Sequence, residues 1–219
     1  MTKLKQARGA KTRTANMNRR REKILECAGE IIAAEGVDAL TLARLAEAAE
    51  VTVPTIHNLI GTKAQIFEQL VDQLVQRIDG VLAVQEDYEP IRTVELFIDN
   101  LMELYADNES MYKAAFVAGE WARLFDQGLP SGIYARSLQL AESVCTRARQ
   151  DGYLAGRVSL RVMSEQLFGC QRLARQDWVN GYIDLETYRN RLLQGMLLVL
   201  AADAVPEFHE RLIQRLAQL

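Results

Sequence analysis

The chain has 219 residues, 49% of them apolar and 25% charged, and a net charge of −3. That composition excludes the disordered and fibrous classes, and the longest apolar run, residues 196–202, is far short of the ~20 residues a membrane-spanning helix needs. Three widely spaced cysteines, Cys27, Cys145 and Cys170, suit neither a disulfide framework nor a metal site. No apolar leader precedes the polar first 23 residues, so the expectation is a cytoplasmic protein with no membrane partner, metal or cofactor.

The charge is unevenly spread. Residues 1–23 carry nine Lys or Arg against Glu22 alone, whereas residues 70–219 hold 15 basic and 21 acidic residues. A basic front on an acidic body points the front, and only the front, at a polyanion.

In chain order the pattern is helical throughout, with four prolines and no sustained alternation that would build a sheet. The first helix is expected from about residue 19 to 35, with Asn18 as N-cap, an apolar stripe of Ile24, Ala28, Ile31 and Ile32, and Gly36 as the stop. Residues 1–17 then form a basic flexible tail, one that either follows a minor groove or serves only solubility. Arg19, Arg20, Arg21 and Lys23 would crowd the positive end of the helix dipole, an arrangement that a phosphate partner favours and stability does not.

Two short helices follow, at about 41–49 with Thr41 as N-cap and at about 52–60 with Pro54 in the first turn. The tight turn between them holds Glu50 and Val51. Thr62 caps a further helix to about residue 82. Two short helices joined by so brief a turn and braced by a preceding helix describe a helix-turn-helix. Its second helix would present Thr52, Val53, Thr55, His57 and Asn58 to base edges and phosphates. Arg44 is a further phosphate candidate, with Glu47 at i+3 as its competing partner.

At these residues the sequence resembles the tetracycline-repressor (TetR) family of bacterial transcription regulators. The likeness covers about residues 20–70 and lies in Ile24–Leu25, Ala28, Gly36, Thr41, Leu45–Ala46, Ala49, Val51–Thr52, Thr55–Ile56 and Thr62–Lys63. The resemblance implies an all-α homodimer, with an N-terminal three-helix helix-turn-helix domain and a larger C-terminal helical domain for ligand binding and dimerisation. It also implies that Thr52 and Thr55 sit on the recognition helix and that Lys63 holds a DNA phosphate. The chain departs from the family at Glu50, where Gly is usual, at His57, where Tyr is usual, and at Ile60, where Phe is usual.

Beyond residue 90 longer helices are expected at about 91–107, 109–126, 133–150, 158–180, 185–202 and 206–218. The helix-turn-helix domain thus spans 18–82 and the ligand-binding body 83–219. Within the body, Leu167, Ala174 and Trp178 on one helix and Leu192, Gly195, Met196 and Val199 on the next read as partner-facing stripes. The alternative is that both face their own subunit's core. Large adaptable side chains at Met102, Tyr105, Tyr112, Phe116, Trp121, Phe125 and Tyr134 are candidates to line an apolar effector pocket, with Arg172 as a polar anchor. Catalysis is not expected. His57 and His209 lie far apart, and no nucleophile spacing, P-loop, GxGxxG after a strand or HExxH is present.

These readings converge on a regulator, expected to be a repressor, that binds a palindromic duplex operator as a homodimer and releases it when a largely apolar small molecule binds. The competing reading is a helical small-molecule-binding protein whose DNA module is degenerate, which Glu50 and the missing aromatic at 57 motivate.

Overall fold

The computed structural model describes residues 2–82, 89–121 and 133–219, and they are helical apart from turns and one isolated bridge between Leu154 and Ala204. The chain divides into two compact units. The first comprises residues 1–74 and 108–123, the second residues 75–107 and 124–219.

In the first unit, α1 spans Thr2–Glu35. It therefore begins far ahead of the expected start at residue 19, and Asn18 lies inside the helix instead of capping it. Residues 2–18 lack proline and hold eight Lys, Arg and Ala residues, all good helix formers, so the helix runs back through the stretch expected to be a flexible tail. Arg19, Arg20, Arg21 and Lys23 consequently sit mid-helix, and the dipole argument does not apply to them.

After α1, Gly36 takes φ 85° and a single 3₁₀ turn, Val37–Ala39, leads into the two short helices. These are α2, Leu42–Ala48, and α3, Val53–Leu59. The Thr41 hydroxyl accepts from the Arg44 N–H at 3.2 Å and caps α2. Thr52 caps α3 in the same way, through the Thr55 N–H at 3.3 Å. α4, Lys63–Leu82, opens on a reciprocal capping box. The Thr62 N–H donates to Gln65 Oε1 at 2.8 Å, and the Gln65 N–H donates to the Thr62 hydroxyl at 3.4 Å.

The apolar stripe of α1 faces inward as expected, with Ile24 and Ala28 inaccessible and Ile31 and Ile32 buried. Leu45, Ile56, Ile66, Phe67 and Leu70 close the core from α2, α3 and α4. The expected boundary at residue 82 is not where the units divide. α4 contributes to both, and α6, Glu109–Trp121, belongs with the first unit because it packs along α1. Its buried face, Met111, Tyr112, Ala115, Phe116 and Ala118, is what makes it a core helix there.

The second unit contains α5, Pro90–Asp107; α7, Ile133–Gln150; α8, Leu160–Val179; α9, Leu185–Ala201; and α10, Pro206–Leu216. Its centre is an aromatic stack. The Tyr105 ring lies 5.0 Å from Trp178 and 6.2 Å from Tyr188, and Trp178 lies 5.6 Å from Tyr188. α8 and α9 approach closely where Gly195 faces Cys170; a Cβ on residue 195 would lie 2.8 Å from the Cys170 sulfur. Arg189 binds Asp99 at 2.7 Å and Arg215 binds Glu95 at 2.7 Å, tying α9 and α10 to α5. The fully buried Asp203 carboxylate accepts the backbone N–H groups of Gly156, Arg157 and Val158 at 2.7–3.0 Å and so holds the α7–α8 connection.

Candidate nucleic-acid interface

The turn between α2 and α3 sets the presentation of the second helix. The Val51 N–H donates to the Ala46 carbonyl at 2.9 Å and the Glu50 N–H to the Glu47 carbonyl at 3.2 Å. This pair of bonds is a Schellman motif, which requires a left-handed residue at Glu50. Glu50 supplies it with φ 56°, alone among the described non-glycine residues. The equivalent positions after α7 and α8 are filled by Gly152 and Gly181. The departure from Gly therefore leaves the turn geometry intact and puts strain into it.

α3 buries Ile56 completely and leaves Thr52, His57 and Asn58 exposed, with Val53 and Thr55 partly so. The Thr52 and Thr55 hydroxyl oxygens are 2.9 Å apart, which fixes both rotamers on the exposed side of the helix. The structure thus brings all five α3 candidates to one short element, presented by a cap at each end of the α2–α3 turn.

The basic candidates divide. Arg19 and Arg20 are exposed on α1, while Arg21 donates from Nε to Gln69 Oε1 at 2.9 Å. Arg44 forms an ion pair with Glu35, not with Glu47, because α2 lies beside the end of α1. Lys63 is half-buried. Its Nζ donates to the Val37 carbonyl at 2.9 Å and lies 5.6 Å from the Phe67 ring centre. Lys23 Nζ lies 3.2 Å from Glu50 Oε2, in a pair that is 48% and 82% exposed. Sequence reasoning missed this partnership, since residues 27 positions apart carry no spacing signal.

The second unit holds a cavity of about 80 Å³, partly open to solvent. Its lining is largely apolar, including Phe97, Leu101, Leu140 and Val144, with Gln171 and Arg175 among the polar exceptions. Of the pocket candidates, Tyr105 lines this cavity; Met102 is buried but does not. Tyr112 and Phe116 are buried in the first unit, and Trp121, also there, is 59% exposed and packs its ring 5.0 Å from Phe67. Phe125 and the Tyr134 side chain lie outside the described residues. Arg172 is exposed on α8 and anchors nothing in the cavity; the buried arginine is Arg175, one turn on. The missed signal was Arg175 itself, a charge set inside the Leu167, Gln171, Ala174 and Trp178 stripe.

Leu167, Ala174, Trp178, Leu192 and Met196 are buried within their own subunit, Gly195 faces Cys170, and Leu167 and Met196 line the cavity. Val199 is half-buried. The apolar side chains that these helices leave open are Val162 and Leu173 on α8, with Leu173 69% exposed, and Leu198 on α9. Amphipathic helices with two apolar faces offer both choices to a periodicity argument, and the larger side chains went to the core.

Burial raises the thiol pKa of all three cysteines, to about 11 for Cys145. They are neutral small hydrophobes near pH 7. Among the described residues no helix is long and apolar enough to cross a membrane.

Residues 24–70, which include α2, α3 and most of the α1 stripe, match the model of bacterial regulatory proteins of the tetR family. No curated protein sequence matches the chain, but 110 solved chains do so by structure. A gamma-butyrolactone receptor described as ArpA-like superposes with a TM-score of 0.68 at 12% identity, over 92% of this chain and 97% of that one. NalD, the secondary repressor of the MexAB-OprM multidrug efflux pump in Pseudomonas aeruginosa, gives 0.66 at 18% identity over 84% and 97%. A TetR-like transcriptional regulator from Rhodococcus sp. RHA1 gives 0.65 at 15% identity over 84% and 97%. At such identities the likeness speaks for the fold, and the domain match speaks for its amino-terminal module. Taken together they give the chain a tetR-type amino-terminal module, over residues 24–70, on the fold of these solved proteins.

Proposed function

We propose that the chain is a cytoplasmic repressor that binds an operator as a homodimer and lets go when a small molecule fills the cavity of its second unit. The observation that carries this reading is the exposed face of α3, where Thr52, Thr55, His57 and Asn58 stand over a helix anchored by buried Ile56. Side chains of that reach suit base edges in a major groove. Arg19 and Arg20 on α1 supply phosphate contacts, and Lys63 does so once its bond to the Val37 carbonyl is exchanged for a phosphate oxygen.

Dimerisation is supported by the exposed Val162, Leu173 and Leu198. A twofold axis through that face would give two α3 helices a fixed separation of about 34–36 Å or a multiple. The release step is supported by α4, whose Ile78 lines the cavity and whose first residues belong to the unit that carries α3. A ligand favouring one setting of α4 by ~1–3 kcal/mol would weaken DNA binding about 5- to 150-fold. The solved proteins similar to it include a repressor of an efflux pump and a gamma-butyrolactone receptor, which fits a ligand-released repressor.

One observation favours the degenerate-module reading. Glu50 and Glu35 occupy Lys23 and Arg44, two cations that a DNA-binding face would use. Selection from random duplexes decides between them. Enrichment of a palindrome, lost on Thr55→Ala and Asn58→Ala substitution, supports the repressor; absence of any enriched sequence refutes it.

A further inference from the structure

The helical stretch ahead of the α1 core is not explained by packing. Residues 2–18 belong to α1 and carry Lys3, Lys5, Arg8, Lys11 and Arg13 with no acidic residue among them. Leu4 and Met17 are their only large apolar side chains, and Met17 is 54% exposed. A helix with neither an apolar stripe nor acidic neighbours three or four residues away gains little from burial or from ion pairs. Its like charges repel one another, and a polyanion relieves that repulsion.

The cations are also aligned. At 3.6 residues per turn, Lys5, Arg8, Lys11, Arg19 and Lys23 fall within about a third of the circumference of α1, with Glu22 the single acidic residue among them. Lys3 and Arg13 lie off that face. Lys5 is 18 residues ahead of Lys23, which is about five turns and about 27 Å along the axis. Lys23 Nζ stands 3.2 Å from Glu50 Oε2 in the α2–α3 turn, so the face leads away from the turn that presents α3, and Arg19 is exposed on it.

On the reading of α3 as the DNA-facing helix, we infer that this face of α1, from Lys23 back to Lys5, is a second DNA-contacting surface, docking as a helix on duplex phosphates beyond those the helix-turn-helix reaches. A minor groove about 6 Å wide does not admit a helix about 10–12 Å across. The extension therefore lies along the backbone or in a major groove, against about one phosphate charge per 1.7 Å of duplex. Phosphate contacts carry no base information, so this surface adds affinity and salt dependence without changing the preferred sequence.

Three variants of the full chain test this on a duplex selected by the parent. Lys5→Gln, Arg8→Gln and Lys11→Gln together strip the face. Lys3→Gln with Arg13→Gln removes cations that lie off it, and Ala10→Pro keeps every charge but breaks the helix. Glutamine is a good helix former, and the first buried residue among those described is Ile24, so the folded core is untouched. The triple variant should flatten the log–log salt slope by about 2.7 for each bound protomer, at about 0.9 per phosphate contact. Its deficit against the parent then shrinks about 40-fold per protomer between 50 and 200 mM salt. The off-face pair should change the slope by less than about one. Ala10→Pro should flatten it by about 1.8, since Lys11 stays on the intact part of the helix, while circular dichroism records the lost turns. An unchanged slope in the triple variant overturns the inference, and so does a pair that costs as much per charge, which reports a diffuse field without a docked face. A proline variant that binds like the parent overturns the helical docking in favour of an extended arm. All three outcomes leave the functional reading standing; that reading falls, and the inference with it, if the parent chain enriches no duplex.

Discussion

The sharpest test of the helix-turn-helix geometry is Glu50, compared as Glu50→Gly and Glu50→Ala. A left-handed conformation costs an L-residue roughly 1–2 kcal/mol, and Glu50 holds φ 56°. Both substitutions remove the ion pair to Lys23, an exposed contact at 3.2 Å that contributes about 0.2–1 kcal/mol. The difference between the variants therefore isolates the backbone. Alanine keeps the left-handed cost. Glycine loses it but gives back about 0.4–1 kcal/mol through the greater freedom of its unfolded chain. The net expectation is that Glu50→Gly is more stable than Glu50→Ala by about 1 kcal/mol, or about 2–4 °C in a thermal melt of a chain this size. Both variants also free Lys23 and remove a negative charge from the side of the unit that meets DNA. Their log–log salt dependence of duplex binding should steepen by about 0.9 if Lys23 then takes a phosphate. An alanine variant as stable as the glycine variant would refute the left-handed turn, and an unchanged salt slope would refute the role given to the Lys23–Glu50 pair.

Asp203→Ala strands the three backbone N–H groups that its carboxylate accepts. At about 1 kcal/mol or more for each buried donor left unpaired, urea unfolding should show a loss of at least ~3 kcal/mol. Gly195→Ala places a methyl 2.8 Å from the Cys170 sulfur and should cost roughly 1–3 kcal/mol by overpacking. Adding Cys170→Ala should recover most of that loss, whereas additive effects of the two changes would contradict the close approach of α8 and α9. Arg20→Ala should lower duplex affinity equally across sequences and reduce the salt slope by about one; a sequence-selective loss would instead place Arg20 at a base. Cys145, with its thiol raised to about 11, should remain unmodified by a disulfide reagent at pH 8 under native conditions and react on unfolding.

The fold was legible where the pattern had one solution. Thr41 and Thr52 cap and Pro54 takes a first turn, so α2, the turn and α3 could be read to within a residue. The α1 start was not legible, because Asn18 satisfies a capping preference yet is flanked by helix formers that continue through it. On α8 and α9, periodicity identified apolar stripes without saying whether core or partner receives them. The decision depends on which face carries Trp178, Leu192 and Met196 against α5 and α7, a tertiary fact. The lining of the cavity was not legible for a related reason. Aromatic and Met content drew attention to Tyr112 and Phe116, which fill the first unit, while Phe97, Leu140 and Val144 line the cavity in the second.

The central claim is that two copies of the chain associate through the open apolar face of α8 and α9 and meet DNA together. Sedimentation equilibrium at micromolar concentration tests it most directly, with and without a selected duplex, for the parent chain and for Leu173→Glu. The account predicts a dimer alone, two protomers on one duplex, and a folded monomer for the variant. A parent chain that sediments as a monomer in both conditions would contradict it.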